Sequence, residues 1–103
     1  MNTTLTTTII TENQAFQRIK TTDGPAPLMV SFVRIKTLFM SLLEADPDNS
    51  IISEAVHMLH EQGFQQASGM LDHYEEDQEE DYQIAFFRIQ ALVASAVNAL
   101  QHP

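Results

Sequence analysis

Cysteine is absent from this chain of 103 residues, which excludes disulfides, thiolate metal sites and a cysteine nucleophile. Only three glycines occur, isolated at positions 24, 63 and 69, and they form no glycine-rich phosphate-binding loop. No serine stands in a nucleophile elbow. Carboxylates are abundant, but they belong to a run that we expect to be exposed, whereas acid–base catalysis needs carboxyl groups buried in a cleft. The sequence therefore predicts a protein that is not an enzyme and holds no cofactor.

Positive charge is also scarce: five lysines and arginines stand against fourteen aspartates and glutamates, for a net charge of −9. The imbalance lies in residues 37–103, where twelve carboxylates face Arg88 alone, while residues 1–36 carry a net charge of +2. Binding to phosphates depends on cations, so we expect no direct binding to nucleic acid and none to anionic membranes. If charge selects a partner, that partner is basic; the alternative is that the acidity serves solubility.

Long apolar stretches are rare, and the main one lies in residues 28–43, where eleven of sixteen residues are apolar. This run is shorter than the ~20 residues that cross a bilayer, and it contains Arg34 and Lys36. The N-terminus lacks the cationic cluster and apolar core of a secretion signal. Together with the chain length, these features predict one cytoplasmic domain without membrane contact.

Helical periodicity places the polar residues of this run, except Lys36, on one narrow edge. That edge comprises Ser31, Arg34, Thr37, Ser41 and the following Glu44. The remaining face comprises Leu28, Phe32, Ile35, Phe39, Leu42 and Leu43, widened by Met29, Val33 and Met40. So broad an apolar face predicts a helix from about 27 to 45 that other helices, or a second subunit, enclose.

The start of the chain is rich in threonine. β-Branched residues at this density disfavour a helix, so we predict a flexible or extended arm over residues 1–10 and one helical domain over residues 11–103. Thr11 and Gln14 have the spacing of a capping box and predict a short helix that stops near residue 21. The prolines and glycine of residues 23–27 then break the chain.

Three further helical patterns follow a second break at residues 46–50. Asp46 or Ser50 is the expected N-cap of a third helix, and Gly63 its expected C-terminal cap. Apolar spacing then predicts a fourth helix up to residue 74 and a fifth from residue 82 to about 101. Seven carboxylates in residues 72–81 favour a solvated bend between these two, although one continuous helix stays open. The sequence thus predicts an all-α bundle of four to five helices.

One helix face carries potential metal ligands. Glu54, His57 and Glu61 are spaced by three and four residues, and the first two match the Glu-x-x-His spacing of di-iron bundles. Such sites need a second copy of the motif, which a homodimer would supply by symmetry. The alternative is the solvated side of an amphipathic helix. We expect no metal, with these three residues as the candidates if one is present.

His57 also suggests a phosphate-accepting role. The chain's size, acidity and helical pattern resemble those of histidine phosphotransfer domains, which expose a histidine on a helix. That resemblance implies phosphorylation of His57. Those domains usually place a small residue and a lysine after the histidine, whereas residues 57–61 read His-Met-Leu-His-Glu. The acidic residue would repel a phosphoryl group.

Association is the function that the sequence favours. The apolar surplus predicts a homodimer in which the helix of residues 28–43 or that of residues 82–100 packs across a two-fold axis. Methionines beside apolar faces suit a groove for a partner's helix, although they fill gaps in cores equally well. The acidic run would steer a basic protein partner or mimic nucleic-acid phosphate. We therefore expect a non-catalytic interaction protein of the chaperone, adaptor, antitoxin or inhibitor type. The expected partner-binding residues are Asp72, Glu75, Glu76, Asp77, Glu79, Glu80, Asp81, Met29, Phe32 and Met40.

Overall fold

A computed structural model describes residues 3–102, and this part of the chain contains four α-helices and no strand. The helices are α1 (Thr3–Arg18), α2 (Pro25–Ala45), α3 (Ser50–Glu75) and α4 (Glu79–Gln101), with a one-turn 3₁₀ helix (Thr21–Asp23) between α1 and α2. Consecutive helices pack together, and α1 also packs against α4, so that the four enclose one core. The predicted all-α bundle is confirmed, with four helices. The outermost residues of the predicted arm and domain lie outside the described residues.

The first helix begins at Thr3, so the predicted start at Thr11 is wrong. Ile9 is completely buried, and Leu5 packs against the core. Burial of this apolar stripe outweighs the weak helix propensity of the threonines. The Thr8 hydroxyl donates to the Thr4 carbonyl at 2.9 Å, so a polar side chain is satisfied within the helix. Residues 3–10 are therefore not extended; their flexibility stays a prediction.

The end of α1 is tied to α4 by a glutamine pair. The side-chain nitrogen of buried Gln90 donates to the carbonyls of Phe16 (3.2 Å) and Ile19 (3.1 Å). In return, the side chain of Gln17 donates to the Gln90 carbonyl at 2.8 Å. Gln90 thus satisfies the Ile19 carbonyl just after α1, and it shares the Phe16 carbonyl with the N–H of Ile19, which lies at 3.3 Å.

Helix α2 matches the predicted helix closely. It begins at Pro25, where the missing N–H of proline is tolerated, and Gly24 before it has φ +83°. Its buried residues include Leu28, Phe32, Ile35, Phe39 and Leu42, as expected. Ser31, placed by the pattern on the polar edge, is also buried, because its hydroxyl donates to Glu12 at 2.9 Å.

Helix α3 is a single helix of 26 residues, so the predicted break at Gly63 is wrong. Gly63 is buried against α2, and an added Cβ would lie 2.4 Å from Cζ of Phe32. The glycine therefore allows two helices to approach closely instead of ending one. The N-cap is Asn49, whose side-chain oxygen accepts from the backbone N–H groups of Ile51 (3.0 Å) and Ile52 (3.3 Å). The predicted N-caps, Asp46 and Ser50, and the predicted C-terminal cap, Gly63, do not cap this helix.

A turn after Glu75 separates α3 from α4, as the acidic run predicts. The chain therefore forms two helices over residues 64–101. Glu79, Glu80 and Asp81 occupy the first turn of α4, where the helix dipole favours negative charge. The predicted inner face of α4 is confirmed as buried, and it comprises Tyr82, Phe86, Ile89, Val93, Ala96 and Leu100.

Two of these helices are long and apolar enough to cross a membrane, judged by length and composition alone. Pro25–Ala45 reaches a mean hydropathy of 1.5, and Glu79–Gln101 reaches 1.3. The apolar run of residues 28–43 lies within a helix of 21 residues, so the length of the run alone does not exclude a membrane span. The buried shares of their apolar windows are 33% and 44%, and these buried sides form much of the core. The expected cytoplasmic location and lack of membrane contact stay predictions.

Candidate protein-interaction site

An apolar groove runs between α2 and α3 on the outside of the bundle. It encloses about 300 Å³. The groove is lined by Met29, Phe32, Val33, Lys36, Thr37 and Met40 of α2 and by Phe64 and Ala67 of α3. Lys36 is the one charged residue among these eight. The structure therefore brings the predicted residues Met29, Phe32 and Met40 to one surface.

The spacing of residues on α2 explains how the groove forms. Met29, Val33, Lys36 and Met40 follow one another at intervals of four, three and four, so they share the side of α2 nearest α3. The facing residues of α3 are small at Gly63 and Ala67. The ring of Phe32 packs over Gly63 and is 4% exposed, which leaves an open channel beside it.

Large apolar side chains of the groove face solvent. Phe64 is 71% exposed, Val33 55% and Met40 48%. None of these belongs to the buried core, so the fold does not require them to be apolar. A cluster of exposed large apolar residues is typical of a surface that binds another molecule.

Phe64 is the most exposed groove residue that the sequence analysis did not identify, because its spacing with Ala67, Leu71 and Tyr74 predicts a separate fourth helix. In the continuous α3, the buried positions are Leu59, Gly63, Ala67 and Met70, and Phe64 lies one position outside that stripe. Helical spacing continued through Gly63 predicts that Phe64 is exposed. A helix end at Gly63 does not give this result.

The α3–α4 turn forms a second candidate surface, which we call the acidic end. It carries seven carboxylates that are all exposed: Asp72, Glu75, Glu76, Asp77, Glu79, Glu80 and Asp81. Within residues 3–102, the ion pairs involve other groups, namely Arg34 with Glu12 (3.2 Å) and His57 with Glu61 (3.2 Å). The negative charge of this end is therefore not neutralised inside the described chain.

Backbone hydrogen bonds fix the conformation of the turn at the acidic end. The N–H of Asp77 donates to the Tyr74 carbonyl (3.3 Å), and the N–H of Gln78 donates to the His73 carbonyl (2.8 Å). This pattern is a Schellman motif, whose central position is left-handed and usually glycine. Asp77 occupies it with φ 56°.

We expect Asp77→Gly to raise the free energy of unfolding by about 1 kcal/mol, because glycine adopts this backbone conformation without a Cβ penalty. The urea midpoint measures the change. Asp77→Asn is the matched control, since it removes the same charge and keeps the Cβ. Equal stabilisation by both variants would show that charge repulsion, and not the backbone, is relieved.

Two tyrosines connect the acidic end to the core. The Tyr82 hydroxyl donates to the Thr21 carbonyl at 2.7 Å, and its ring centroid lies 5.0 Å from that of Tyr74. Burial raises the pKa of Tyr82, and the nearby Tyr74, Glu79 and Asp23 act in the same direction. Tyr82 is therefore held neutral and fixes this end of α4 against the 3₁₀ turn.

The potential metal ligands do not converge. Glu54, His57 and Glu61 are exposed on α3, and the closest approach between them is that of His57 Nε2 to Glu61 Oε2. Among residues 3–102, no group of three or more histidine, aspartate or glutamate side chains is placed to hold a metal ion. Their exposure is what the solvated side of an amphipathic helix requires, and a metal site shared by two copies stays a hypothesis. Phosphorylation of His57 stays a prediction.

Comparisons with known proteins found no matching family model, no matching curated protein and no matching solved structure. A functional proposal for this chain therefore depends on its own surfaces.

Proposed function

We propose that this protein is a non-catalytic interaction module that binds a basic, amphipathic helical segment of a protein partner. The observation that carries the proposal is the exposed apolar groove together with the unneutralised acidic end of the same helix. The proposal places the partner's apolar face in the groove and its basic residues at the acidic end.

The groove offers affinity through burial of apolar surface. Covering a side chain of the size of Phe64, Val33 or Met40 contributes roughly 1.5–3 kcal/mol when burial is complete. Helix-in-groove recognition uses anchors at intervals of three and four residues, which is also the spacing of the residues along α2. Two of the lining residues are methionines, whose flexible side chains adapt to different anchors.

Distance and charge link the groove to the acidic end. Phe64 and Leu71 are seven residues apart and lie on the same side of α3, and Leu71 is 37% exposed. Glu75 follows four residues later, so it lies about 16 Å along the helix axis from Phe64. A partner helix of three to four turns would therefore reach both surfaces. The carboxylates would speed its approach and select basic sequences.

A designed peptide tests this proposal: a helix with leucines on one face and lysines on the other, labelled with a fluorophore and followed by anisotropy. We expect Phe64→Glu to weaken binding at least tenfold, about 1.4 kcal/mol, because it places a charge in the groove. Val30→Glu is the matched control, since Val30 is 60% exposed on α2 and does not line the groove. A peptide with glutamates in place of the lysines should not bind.

The acidic end is tested in the same assay. Glu75→Gln, Glu76→Gln and Glu79→Gln combined should lower affinity and flatten its dependence on salt, because fewer charges interact with the peptide. Equal loss of binding in Phe64→Glu and Val30→Glu, or affinity that does not change with salt, would contradict the proposal.

A further inference from the structure

The outer face of α4 differs from the rest of this acidic surface. Between residues 82 and 102 the chain contains no carboxylate, and Arg88 is its one lysine or arginine. Ile84 and Phe87 are nevertheless 44% and 57% exposed. The neighbouring α1 has a single carboxylate, Glu12, which turns toward α2 to accept from Ser31 and Arg34.

The spacing along this face is that of a helix–helix seam. Its residues follow at intervals of three and four and comprise Ile84, Phe87, Ala91, Ala94, Asn98 and Gln101. A repeat of this kind is the apolar seam of a coiled coil. The first two of these six residues are large, and the four that follow are small or polar.

Charge indicates what covers this seam. Two copies of a chain with net charge −9 repel each other, so a contact between copies is opposed least at a face without carboxylates, and α4 provides such a face. A basic partner finds its opposite charges at the acidic end and not on this face. The occupant that fits is a second copy of the chain.

Size complementarity gives the orientation. In an antiparallel pair whose two-fold axis lies level with residue 89, Phe87 meets Ala91 and Ile84 meets Ala94 of the second copy. This contact is isologous, so each pair of residues occurs twice, once on either side of the two-fold axis. The alanines let the helix axes approach closely, and the large side chains fill the space between them. We infer that this protein forms a homodimer in which the two α4 helices pack antiparallel along this seam.

Light scattering tests the inference. We expect the chain to have twice its mass of 11.6 kDa, and we expect both Ala91→Glu and Ala91→Arg to yield monomers. Both variants place a large side chain in the seam, but they change the net charge in opposite directions. Loss of the dimer in both therefore shows obstruction of the seam. Ala26→Glu, at an exposed position of α2, is the matched control and should stay dimeric. Circular dichroism checks that each variant keeps its helix content.

Disulfide trapping tests the orientation, because the chain has no cysteine of its own. The double variant Ile84→Cys with Ala94→Cys should form a covalent dimer under mild oxidation, whereas Ile84→Cys alone should not. A monomeric wild type, or a dimer that survives both substitutions of Ala91, would overturn the inference. A dimer that dissociates with Phe64→Glu would do so as well, since it would place the interface in the groove. Peptide binding is measured separately, so this proposal and the proposed function can fail independently.

Discussion

Replacing Gly63 by alanine should destabilise the bundle, whereas replacing Gly69 by alanine in the same helix should stabilise it. A Cβ at position 63 would lie 2.4 Å from Cζ of Phe32 and within 3.3 Å of two further ring atoms, whereas a Cβ at position 69 meets nothing within 4 Å. Overpacking costs about 1–3 kcal/mol, and alanine gains about 1 kcal/mol over glycine in a helix interior. We expect a loss of about 1–2 kcal/mol for Gly63→Ala and a gain of up to about 1 kcal/mol for Gly69→Ala.

A double-mutant cycle identifies the cause. Shortening the ring with Phe32→Leu removes the atoms that the new Cβ would meet, so Gly63→Ala should cost much less in that background. Urea denaturation of the four proteins gives the coupling energy. An equal cost in both backgrounds, or a stabilising effect of Gly63→Ala in the wild type, would show that the glycine does not serve the close approach of α2 and α3.

Replacing Gln90 by leucine should cost about 1–3 kcal/mol, because it leaves the Ile19 carbonyl without a partner and the Phe16 carbonyl with only the N–H of Ile19, at 3.3 Å. Gln90 is 8% exposed, and its side-chain nitrogen is the donor to both Phe16 and Ile19. Leucine has a similar size, so the loss should come from hydrogen bonding more than from packing.

The matched control for Gln90 is Gln83→Leu in the same helix. Gln83 donates only to the exposed Glu79 carboxylate, at 3.0 Å, so its replacement should change stability by a few tenths of a kcal/mol. Hydrogen exchange adds a second measurement: Gln90→Leu should lower protection most at the end of α1, which Gln90 holds against α4. Similar losses for the two variants would contradict this account of Gln90.

The sequence predicts those features of the fold that depend on residues close together in the chain. The apolar spacing of α2 and α4 fixes which side of each helix is buried, and Leu28 and Ile89 are buried as that spacing indicates. The turn near Asp77 follows from a local concentration of carboxylates.

The features of the fold that the sequence does not predict depend on contacts between residues far apart in the chain. The role of Gly63 depends on Phe32, which lies 31 positions earlier, whereas the residues next to Gly63 in sequence predict a helix end. The helical start of α1 depends on burial of Ile9 against other helices, which outweighs local propensity. The exposure of Phe64 follows from the continuity of α3 through Gly63. The groove could therefore be predicted on its α2 side and not on its α3 side.

The binding of a basic helix in the α2–α3 groove is the central claim, and the methionine methyl groups report on it directly. Met29 and Met40 line the groove, Met58 lies between α3 and α4, and Met70 is completely buried. In a sample labelled at the methionine methyls, NMR spectra recorded during titration with the leucine–lysine peptide should show shifts at Met29 and Met40, with Met58 and Met70 nearly unchanged. Shifts at Met58 without shifts at Met29 and Met40, or no shifts at a saturating concentration, would contradict the claim.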